Sequence, residues 1–591
     1  MLEKTFFATV SVIAITMTLL LMLLPTPEKS TPTGSSGNDF FIENIRLFDG
    51  EKIIESTSLL IKNGLIVSIG ERAKPPAVIT VDGIGKTLLP GLIDAHTHNF
   101  GNSLVDAINF GVTTQLDMFA NPIILNNQKT RRESTAKKTH ADLFSAGVLA
   151  TAPGGHGTQF GQAIETIDHP DKTEQWVSNR IAEGSDFIKL VYMPNNGLFS
   201  SIDQATASAL IKAAHQNELL AVAHVSTLQD AQNLLDEGVD GLVHIFADKL
   251  VTDEFLQQAK QQKLFVIPTL SVISSANKFD TARQLAADSR VAPYLNAGQT
   301  QQLMSDFNLG SSSGFNFDIA VENTRRLHNA GITILAGSDA PNPGTSHGVS
   351  LHQELALLVQ SGLSPVESLR AASSAAADAF RIKDRGRIQP GQRADFILVD
   401  GDPSSNISDS LSIHSIYKNG FRVPRSTGAA VASGDKVTTN LLSDFSKGLT
   451  NSNAMVWSKT DDSMSNGTST AQLRLVNDSL KVSAQVNQGF MFPWAGAAVF
   501  GENSLDLSDY KSLQFTIRGT AGSYRIMTFS GEQTGAPPAQ TFEVKNEWQT
   551  IDFLLADFPG LIKERLNGLA IVAGPAQGEF EYYLKDVKLK R

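Results

Sequence analysis

The chain contains no cysteine in its 591 residues. This absence excludes disulfide bonds, thiolate metal ligands, a cysteine nucleophile and a lipid anchor on cysteine. Any metal site in the protein must therefore be built from nitrogen and oxygen ligands.

Basic residues are also in short supply. The 49 Lys and Arg residues are outnumbered by 60 Asp and Glu residues, which gives a formal net charge of -11. This balance argues against a nucleic-acid partner and favours solubility. The length exceeds that of one ordinary hydrophobic core, so we expect several domains.

Long apolar runs are absent with one exception, residues 6–24, which follow Lys4. The run is longer than the apolar part of a cleaved signal peptide, and no small-residue cleavage site follows it. The sequence therefore favours a membrane anchor in residues 1–37, with a cleaved signal peptide as the alternative. Because the positive charge precedes the run, the remaining chain is predicted to be exported, periplasmic and anchored to the inner membrane.

Two stretches of alternating apolar and polar residues flank the middle of the chain. Residues 38–89 contain the hairpin dipeptide Asn63-Gly64, and strand character returns in residues 385–424. We expect the first stretch to be antiparallel. The two stretches are predicted to pair as one split β-sandwich.

Between them, in residues 90–384, short apolar runs alternate with amphipathic segments such as 203–217 and 227–237. This alternation predicts a (β/α)8 barrel, with a doubly wound parallel sheet as the alternative. One further helix is predicted from residue 364 to 377. The eight candidate strands are residues 92–98, 113–118, 147–152, 186–192, 220–225, 241–246, 264–270 and 333–339.

Polar residues stand at the carboxyl ends of several of these strands. His96 and His98 are two apart on a strand, so both imidazoles face one side, as in half of a zinc ligand set. Taken alone, each polar residue can equally be explained as a core side chain whose hydrogen bonds are satisfied. Together, these residues lie on the face where such barrels carry their active sites. The other members of the group are Lys189, His224, His244 and Asp339.

Five short motifs in residues 40–424 give the chain a resemblance to the amidohydrolase superfamily, in its imidazolonepropionase- and prolidase-related branch. In chain order they are PGLIDAHTH (90–98), FIK (187–189), VAH (222–224), AGSD (336–339) and GQRADFILV (391–399). Two departures from the family pattern, VHI at 243–245 and the serine pair at 373–374, remove no ligand.

The resemblance implies two divalent metal ions, with zinc as the expected metal. His96 and His98 would bind the buried ion with Asp339, His224 and His244 would bind the outer ion, and Lys189 would bridge both. A free ammonium cannot bind a cation, so the bridging role requires Lys189 to be carbamylated. Asp339 would then carry the proton from the attacking hydroxide to the leaving nitrogen.

Four further residues are candidates for roles near the centre. His156 lies in a glycine-rich loop after the third strand, where it would stabilise an oxyanion or bind a substrate carboxylate; a loop histidine shaped by the glycines is the alternative. Tyr192 is a weaker candidate for substrate contact. His347 and His352 are expected to be supporting or structural residues.

The last part of the chain reads as a separate all-β domain. A linker is expected at residues 425–436, followed by strands and turns in 437–591, most simply a β-sandwich or jelly roll. This part resembles the complex I intermediate-associated protein family, a jelly roll related to galactose-binding modules. We expect a binding module with a carbohydrate or protein partner. Buried core roles are favoured for Trp457 and Trp494 over stacking on a sugar.

Three functions remain open from the sequence. The first is an exported binuclear metal-dependent hydrolase of amide bonds in small molecules, for example dipeptides or N-acyl amino acids. The second is hydrolysis of cyclic amides, lactones or phosphoesters in the same site, and the third is a non-catalytic, membrane-tethered binding protein. The full ligand set argues against the third. A homo-oligomer is compatible with all three.

Overall fold

The N-terminal segment of the described chain forms one mixed sheet with residues from beyond the barrel. The computed structural model describes residues 39–591 except 71–78, 121, 159–163, 196–198, 278–279, 306–315, 428–434, 438, 452, 454, 463–467, 488–492, 531–536 and 559–560. The sheet has eight strands in the order β16-β15-β14-β5-β1-β2-β3, with β4 paired to β1. Its strands are β1 Phe40–Phe48, β2 Ile53–Lys62, β3 Leu65–Ile69, β4 Ile79–Asp82, β5 Lys86–Pro90, β14 Phe396–Asp400, β15 Ile413–Lys418 and β16 Phe421–Val423.

The predicted pairing of the two flanking segments is present in this sheet. Strand β5 pairs antiparallel with β14, with Leu88 opposite Leu398. Asn63 and Gly64 both have positive φ, as the predicted hairpin requires. The expectation of a wholly antiparallel unit is wrong, because β1 runs parallel to β4 and β5. An isolated bridge between Leu65 and Arg393 shows that the predicted sandwich is one sheet that curls around its own apolar core.

Eight parallel strands form the barrel, in a run of three and a run of five. Isolated bridges close the two seams, Ala150 with Leu190 and Thr97 with Ala340. The strands are β6 Leu92–Thr97, β7 Val112–Asp117, β8 Asp142–Ser145, β9 Ile188–Val191, β10 Ala221–His224, β11 Gly241–Val243, β12 Phe265–Ile267 and β13 Thr333–Ile334. The (β/α)8 prediction is confirmed.

The third strand differs from its prediction. It is Asp142–Ser145, whereas residues 147–152 follow it and take part only in the isolated bridge at Ala150. The predicted strand at 147–152 is therefore corrected. Its apolar residues Val148 and Ala150 are buried in the layer between barrel and helices, which explains their hydrophobicity.

The helices around the barrel begin where the sequence places capping residues. Asp203 accepts a hydrogen bond from the N–H of Thr206, and Thr227 accepts one from the N–H of Asp230. The helices are α1 Ser103–Asn109, α2 Leu125–Glu133, α3 Thr173–Glu183, α4 Gln204–Gln216, α5 Leu228–Asp236, α6 Asp253–Gln262, α7 Leu270–Ala276, α8 Thr281–Ala287, α9 Ala297–Met304, α10 Phe317–Asn329, α11 Val349–Gln360, α12 Pro365–Ala371 and α13 Ser374–Ala379. The single helix expected at 364–377 is thus two, α12 and α13.

A buried ionic cluster joins the start of β8 to the curled sheet. Asp142 accepts hydrogen bonds from Lys418 Nζ at 2.6 Å, Arg385 Nη1 at 2.7 Å and Lys138 Nζ at 2.9 Å. Lys418 also contacts Asp395 at 2.5 Å. Burial acts to raise the pKa of Asp142, but these three cations hold this pKa well below its ordinary value.

The C-terminal part is a two-sheet all-β unit with its own apolar core. One sheet has six strands, in the order β17-β21-β26-β23-β24 with β18 paired to β21, and the other has the order β19-β20-β27-β22-β25. The strands are β17 Asp435–Lys436, β18 Met455–Asp461, β19 Thr470–Val476, β20 Ser479–Val486, β21 Ala495–Asp506, β22 Ser512–Gly519, β23 Gly522–Ser530, β24 Ala539–Val544, β25 Gln549–Leu554, β26 Leu566–Ala573 and β27 Gly578–Lys590.

The end of the predicted linker before this unit differs from its prediction. Residues 435–436, predicted as the end of the linker, form β17 and pair with Leu505 and Asp506.

In the described part of the chain, none of the helices is both long and apolar enough to cross a membrane. The anchor predicted at residues 6–24 lies outside the described residues.

Candidate metal centre

The first two predicted ligands meet at the end of β6. The Nε2 atoms of His96 and His98 lie 3.4 Å apart, and each is 3.2 Å from Oδ1 of Asp339. The His96 side chain is 1% exposed and that of His98 is 28% exposed, so His98 stands on the open side of the centre. The alternation of a β-strand brings both rings to one face, as the sequence predicts.

Asp339 reaches the two histidines from the loop after β13. Its backbone has φ 54, and its N–H donates to the carbonyl of His96 at 2.9 Å. Gly337 allows this approach, because a Cβ at that position would lie 2.8 Å from Cβ of His96 and 2.5 Å from Ile267. The glycine of the AGSD motif is therefore required by close packing against the first ligand strand.

Asp94, a residue that the sequence does not single out, ties these two segments together. Its carboxylate accepts hydrogen bonds from Ser338 Oγ at 2.6 Å, Ser338 N at 2.9 Å and His96 N at 3.2 Å. The side chain is fully buried. The sequence feature that could have identified Asp94 is a carboxylate within an apolar strand, beside the histidine pair. Asp94 positions the loop that carries Asp339.

His244 follows β11 and is oriented by Thr269. Its Nδ1 lies 2.6 Å from Thr269 Oγ1, and that hydroxyl donates to the carbonyl of Pro268 at 2.8 Å. Since the hydroxyl proton is used in this way, Nδ1 of His244 must donate and Nε2 keeps its lone pair. Nδ1 is 3.9 Å from Asp339 Oδ2. Thr269 is a supporting residue that the sequence patterns do not reveal.

His224, at the end of β10, joins the group through ring contacts. Its ring centroid is 4.6 Å from that of His244 and 5.1 Å from that of His156. The rings of His244 and His96 are 4.9 Å apart. The histidines thus form a continuous row across the carboxyl ends of the barrel strands.

Lys189 lies on β9 with 2% of its surface exposed. Its Nζ is buried and has no hydrogen-bond partner among the described residues. Burial lowers the pKa of Lys189 to about 7, and the charge of Asp339 opposes this effect. An ammonium left without partners inside a protein is costly, so this lysine suits a chemical state other than a free cation.

The protonation states of the other groups suit metal binding. Burial lowers the pKa of His96 to about 4 and that of His224 and His244 well below the ordinary range. Burial acts to raise the pKa of Asp339, but the adjacent histidines hold it well below its usual value. Neutral imidazoles and an ionised carboxylate are the forms that bind divalent ions.

His156 stands beside the row of histidines, on the loop after β8. The loop is tight, since a Cβ on Gly155 would lie 2.2 Å from Thr151 Oγ1. Burial lowers the pKa of His156 to about 4, which keeps the ring neutral at neutral pH. A neutral ring beside the centre can donate a hydrogen bond to an oxyanion but offers no fixed positive charge.

Tyr192, predicted as a weaker candidate for substrate contact, is enclosed by its neighbours, and the contact stays a prediction. The side chain is 2% exposed among the residues between barrel and helices, and its hydroxyl accepts from Asn233 Nδ2 at 3.0 Å. His347 contacts Gln115 Nε2 at 3.1 Å, as a supporting residue would. His352 is held between Ser410 and the carbonyl of Phe110, a structural role.

The donor set fits a divalent metal ion. Nitrogen and oxygen atoms of His96, His244 and Asp339 all lie within 4.8 Å of one another. His98 contacts the same carboxylate, while Lys189 is electrostatically coupled to Asp339 and His224 adjoins His244. Imidazole and carboxylate groups on a rigid strand end suit zinc and similar ions.

This fold and site define a (β/α)8 barrel with a cluster of potential metal ligands at the carboxyl ends of its strands. Residues 87–423 match the amidohydrolase family model, and the chain belongs to that family. It is 24% identical over 404 residues to an imidazolonepropionase of Deinococcus deserti, an alignment that covers 63% of this chain and 92% of the relative.

Solved structures show the same fold. A Xaa-Pro dipeptidase with bound methionine superposes with a TM-score of 0.53 at 20% identity, covering 65% of this chain and 99% of that one. Molinate hydrolase superposes with a TM-score of 0.52 at 17% identity, covering 65% and 94%. At these identities the likeness establishes the fold and leaves the substrate to be argued from the site.

Proposed function

We propose that the protein is a binuclear metal-dependent hydrolase of amide C–N bonds. The observation that carries the proposal is Lys189, whose buried Nζ lacks a hydrogen-bond partner among the described residues and lies within the electrostatic reach of Asp339. A carbamate on this nitrogen would replace a costly buried cation with an anionic oxygen donor for two ions.

The six ligands divide between two ions. His96, His98 and Asp339 would hold the buried ion, His224 and His244 the outer ion, and carbamylated Lys189 both, with zinc as the expected metal. When bound, such ions supply a water with a pKa near 7 and a polarised substrate carbonyl. The neutral imidazole of His96 and the ionised carboxylate of Asp339 are the forms that metal binding requires of these two residues.

Two residues of the chain would act directly on the reacting atoms. Asp339 accepts the proton of the attacking water and delivers it to the leaving nitrogen, a contribution of about 10²–10⁴-fold. His156, neutral and next to His224, donates a hydrogen bond to the oxyanion that forms on the carbonyl. Its lowered pKa favours this role over binding a carboxylate.

Dipeptides and N-acyl amino acids are the first substrate classes to test. Cyclic amides, lactones and phosphoesters are the alternative, because the same centre would activate water against those bonds. Turnover of a panel of these compounds by the zinc-loaded protein, with metal content measured by mass spectrometry, tests the proposal. Two metal ions per chain without any hydrolysis of the panel would favour a non-catalytic binding protein.

We also propose that the enzyme is exported and held at the inner membrane by residues 6–24. Fractionation should recover activity with membranes, and deletion of residues 1–35 should release it. Activity confined to the cytoplasm of the native host would contradict this location.

The C-terminal unit is proposed to be a binding module of the complex I intermediate-associated type. Its separate core, and the position of all six ligands before residue 340, support the idea that it contributes no catalytic residue. Trp457 is buried and donates to the carbonyl of Leu442, as a core tryptophan does. A chain truncated at residue 434 should keep its turnover of a small amide; loss of activity in a folded truncated protein would count against this role.

A further inference from the structure

A row of long side chains crosses one sheet of the C-terminal unit, the sheet with the order β19-β20-β27-β22-β25. Arg474 on β19 pairs with Lys481 on β20, which pairs in turn with Tyr583 on β27. Tyr583 also pairs with Arg518 on β22, whose guanidinium carbon lies 4.9 Å from the ring centroid of Trp548, the residue before β25. Since directly opposite residues share a face, the five side chains lie side by side across the sheet.

The row faces away from the apolar core of the unit. Tyr582 and Leu584, the neighbours of Tyr583 along β27, are fully buried in that core, so the alternation of the strand turns Tyr583 the other way. Trp548 at one end of the row is 38% exposed, and Arg474 at the other end is exposed as well. The row is therefore open to a ligand from solvent.

Two aromatic rings hold the cations of this face in place. The guanidinium carbon of Arg518 lies 4.9 Å from the ring centroids of both Trp548 and Tyr583. Lys585, two residues after Tyr583 on the same face of β27, has its Nζ 4.5 Å from the ring centroid of Trp548. Such a ring attracts a cation through its quadrupole but carries no net charge. The rings therefore fix the positions of the cations without neutralising them.

Most of these cations lack a carboxylate partner. The cations of the face around the two rings are Arg474, Lys481, Arg518 and Lys585. Among the residues that the structure describes, only one of the four forms an ion pair, Lys481 with Glu581 at 2.6 Å. The Nε atom of Arg518 is buried and has no hydrogen-bond partner in the described part of the chain. In a chain with a net charge of -11, this face thus presents unpaired positive charge that complements an anion.

The spacing of the row favours a glycan with separated carboxylates over a nucleic acid. Neighbouring strands lie about 4.8 Å apart, so the row is about 19 Å long. A DNA duplex carries about eleven phosphate charges over that length, whereas the row offers cations that alternate with uncharged aromatic rings. A polymer of uronic acids carries its carboxylates singly, with an uncharged sugar ring between them. This pattern matches the row more closely than a dense line of phosphates does.

We infer that this face of the C-terminal unit binds an acidic polysaccharide, with Arg518 and Lys585 as the main contacts for its carboxylates. The planar guanidinium of Arg518 can engage a carboxylate through two parallel hydrogen bonds, and the ammonium of Lys585 adds a point charge beside it. The inference rests on the binding role proposed for the unit and names its ligand. It does not depend on the hydrolysis proposed for the barrel.

Three probes separate the contribution of charge from that of the sugar chain. Hexagalacturonate carries carboxylates on a sugar chain, its fully methyl-esterified form keeps the chain without the charges, and a short DNA duplex carries charge on a different polymer. In calorimetric titrations of the full chain at low ionic strength, we expect hexagalacturonate to bind at least about 10-fold more tightly than either of the others. Added salt should weaken this binding, because it screens exposed charges.

Variants test whether this face makes the contact. Arg518→Gln and Lys585→Gln should each weaken the binding of hexagalacturonate about 10-fold. Arg518→Lys, which keeps the charge but loses the planar fork, should retain part of the affinity. Trp548→Ala removes the ring that holds both cations and should also weaken binding. Lys459→Gln is the control, because it removes a 65% exposed lysine from β18 in the other sheet; it should bind as the wild type does.

The outcomes separate this inference from the proposals on which it builds. Equal binding of the acid and its ester, or tighter binding of the duplex, would overturn the inference while the unit remained a binding module. Equal losses in Lys459→Gln and Arg518→Gln would overturn the assignment to this face. Absence of binding by all three probes would overturn the inference without bearing on the hydrolysis, which the panel of amides measures by itself.

Discussion

Two of the six proposed ligands have backbones in the left-handed region, His244 with φ 68 and Asp339 with φ 54. Such a conformation costs about 1–3 kcal/mol in a residue other than glycine, and it persists where neighbours hold it in place. Thr269 holds the His244 ring, and Asn342 Nδ2 donates to the carbonyl of Asp339 at 2.8 Å. The motifs predict which residue types gather at the centre, but the sequence gives no sign of this strain or of the residues that support it.

Lys189→Ala tests the bridging role. We expect metal content to fall below two ions per chain and turnover to fall more than about 100-fold, a larger loss than that of a residue that only orients a ligand. Acetate or propionate should restore part of the activity by filling the gap with two oxygens. Lys189→Arg should stay inactive with these additives, because the guanidinium keeps its charge. Wild-type turnover and two ions in Lys189→Ala would refute the assignment.

Thr269→Val tests the orientation of His244. Loss of the hydroxyl removes the acceptor for Nδ1–H, so the ring can adopt the other tautomer and affinity for the outer ion should fall about 10–100-fold. Thr269→Ser keeps the hydroxyl and should bind metal as the wild type does. Metal affinity measured by competition with a chelator checks both variants; equal affinity in Thr269→Val and the wild type would exclude this role.

At the scale of elements, the strands that carry ligands were predictable and the third strand was not. Apolar residues bounded by histidine or aspartate predict strands that end at the site. The third strand begins with Asp142, whose charge is satisfied by Lys418 and Arg385, more than two hundred residues later in the chain. The sequence around residue 142 does not show such distant partners. The local polarity pattern therefore predicts a strand at the apolar run 147–152 instead.

Gly337→Ala tests the close packing of the loop after β13 against β6. The added Cβ would lie 2.8 Å from Cβ of His96, so the loop must shift and Asp339 with it. A displacement of about 1 Å at a reacting group can cost about 100-fold in rate, and we expect a loss of kcat of that order. Gly238→Ala is the control: its φ is strained at +83, but nothing lies within 4 Å. It should lose stability without losing kcat.

At the scale of the whole molecule, the buried cluster around Asp142 links the barrel to the curled sheet. Asp142→Asn leaves Lys418, Arg385 and Lys138 without their common carboxylate, which should cost about 3–5 kcal/mol of unfolding free energy at pH 7. The pKa of Asp142 is depressed in the folded state. The wild type therefore keeps this stabilisation at pH values above 3.8, the ordinary pKa of an aspartate, and loses it as the pH falls further.

The pH dependence of that difference supplies the measurement. Urea unfolding of the wild type and of Asp142→Asn should show a constant gap between pH 5 and 7 that narrows below about pH 4. Asp552→Asn, which removes a half-exposed carboxylate paired with Lys590 in the C-terminal unit, should change stability by less than about 1 kcal/mol. A gap that is absent at pH 7, or that widens in acid, would contradict the account of the cluster.

The pairing of β5 with β14 also affects how the protein is made. The side chains of Lys86 and Asp400 meet across this pair although they are 314 residues apart in the chain. At a synthesis rate of about 5–20 residues per second, the ribosome needs roughly 15–60 s to supply the second strand after the first has emerged. Throughout that interval the edge of β5 remains unpaired on the nascent chain, so the first strands to be translated complete their sheet only after all the barrel strands have been made.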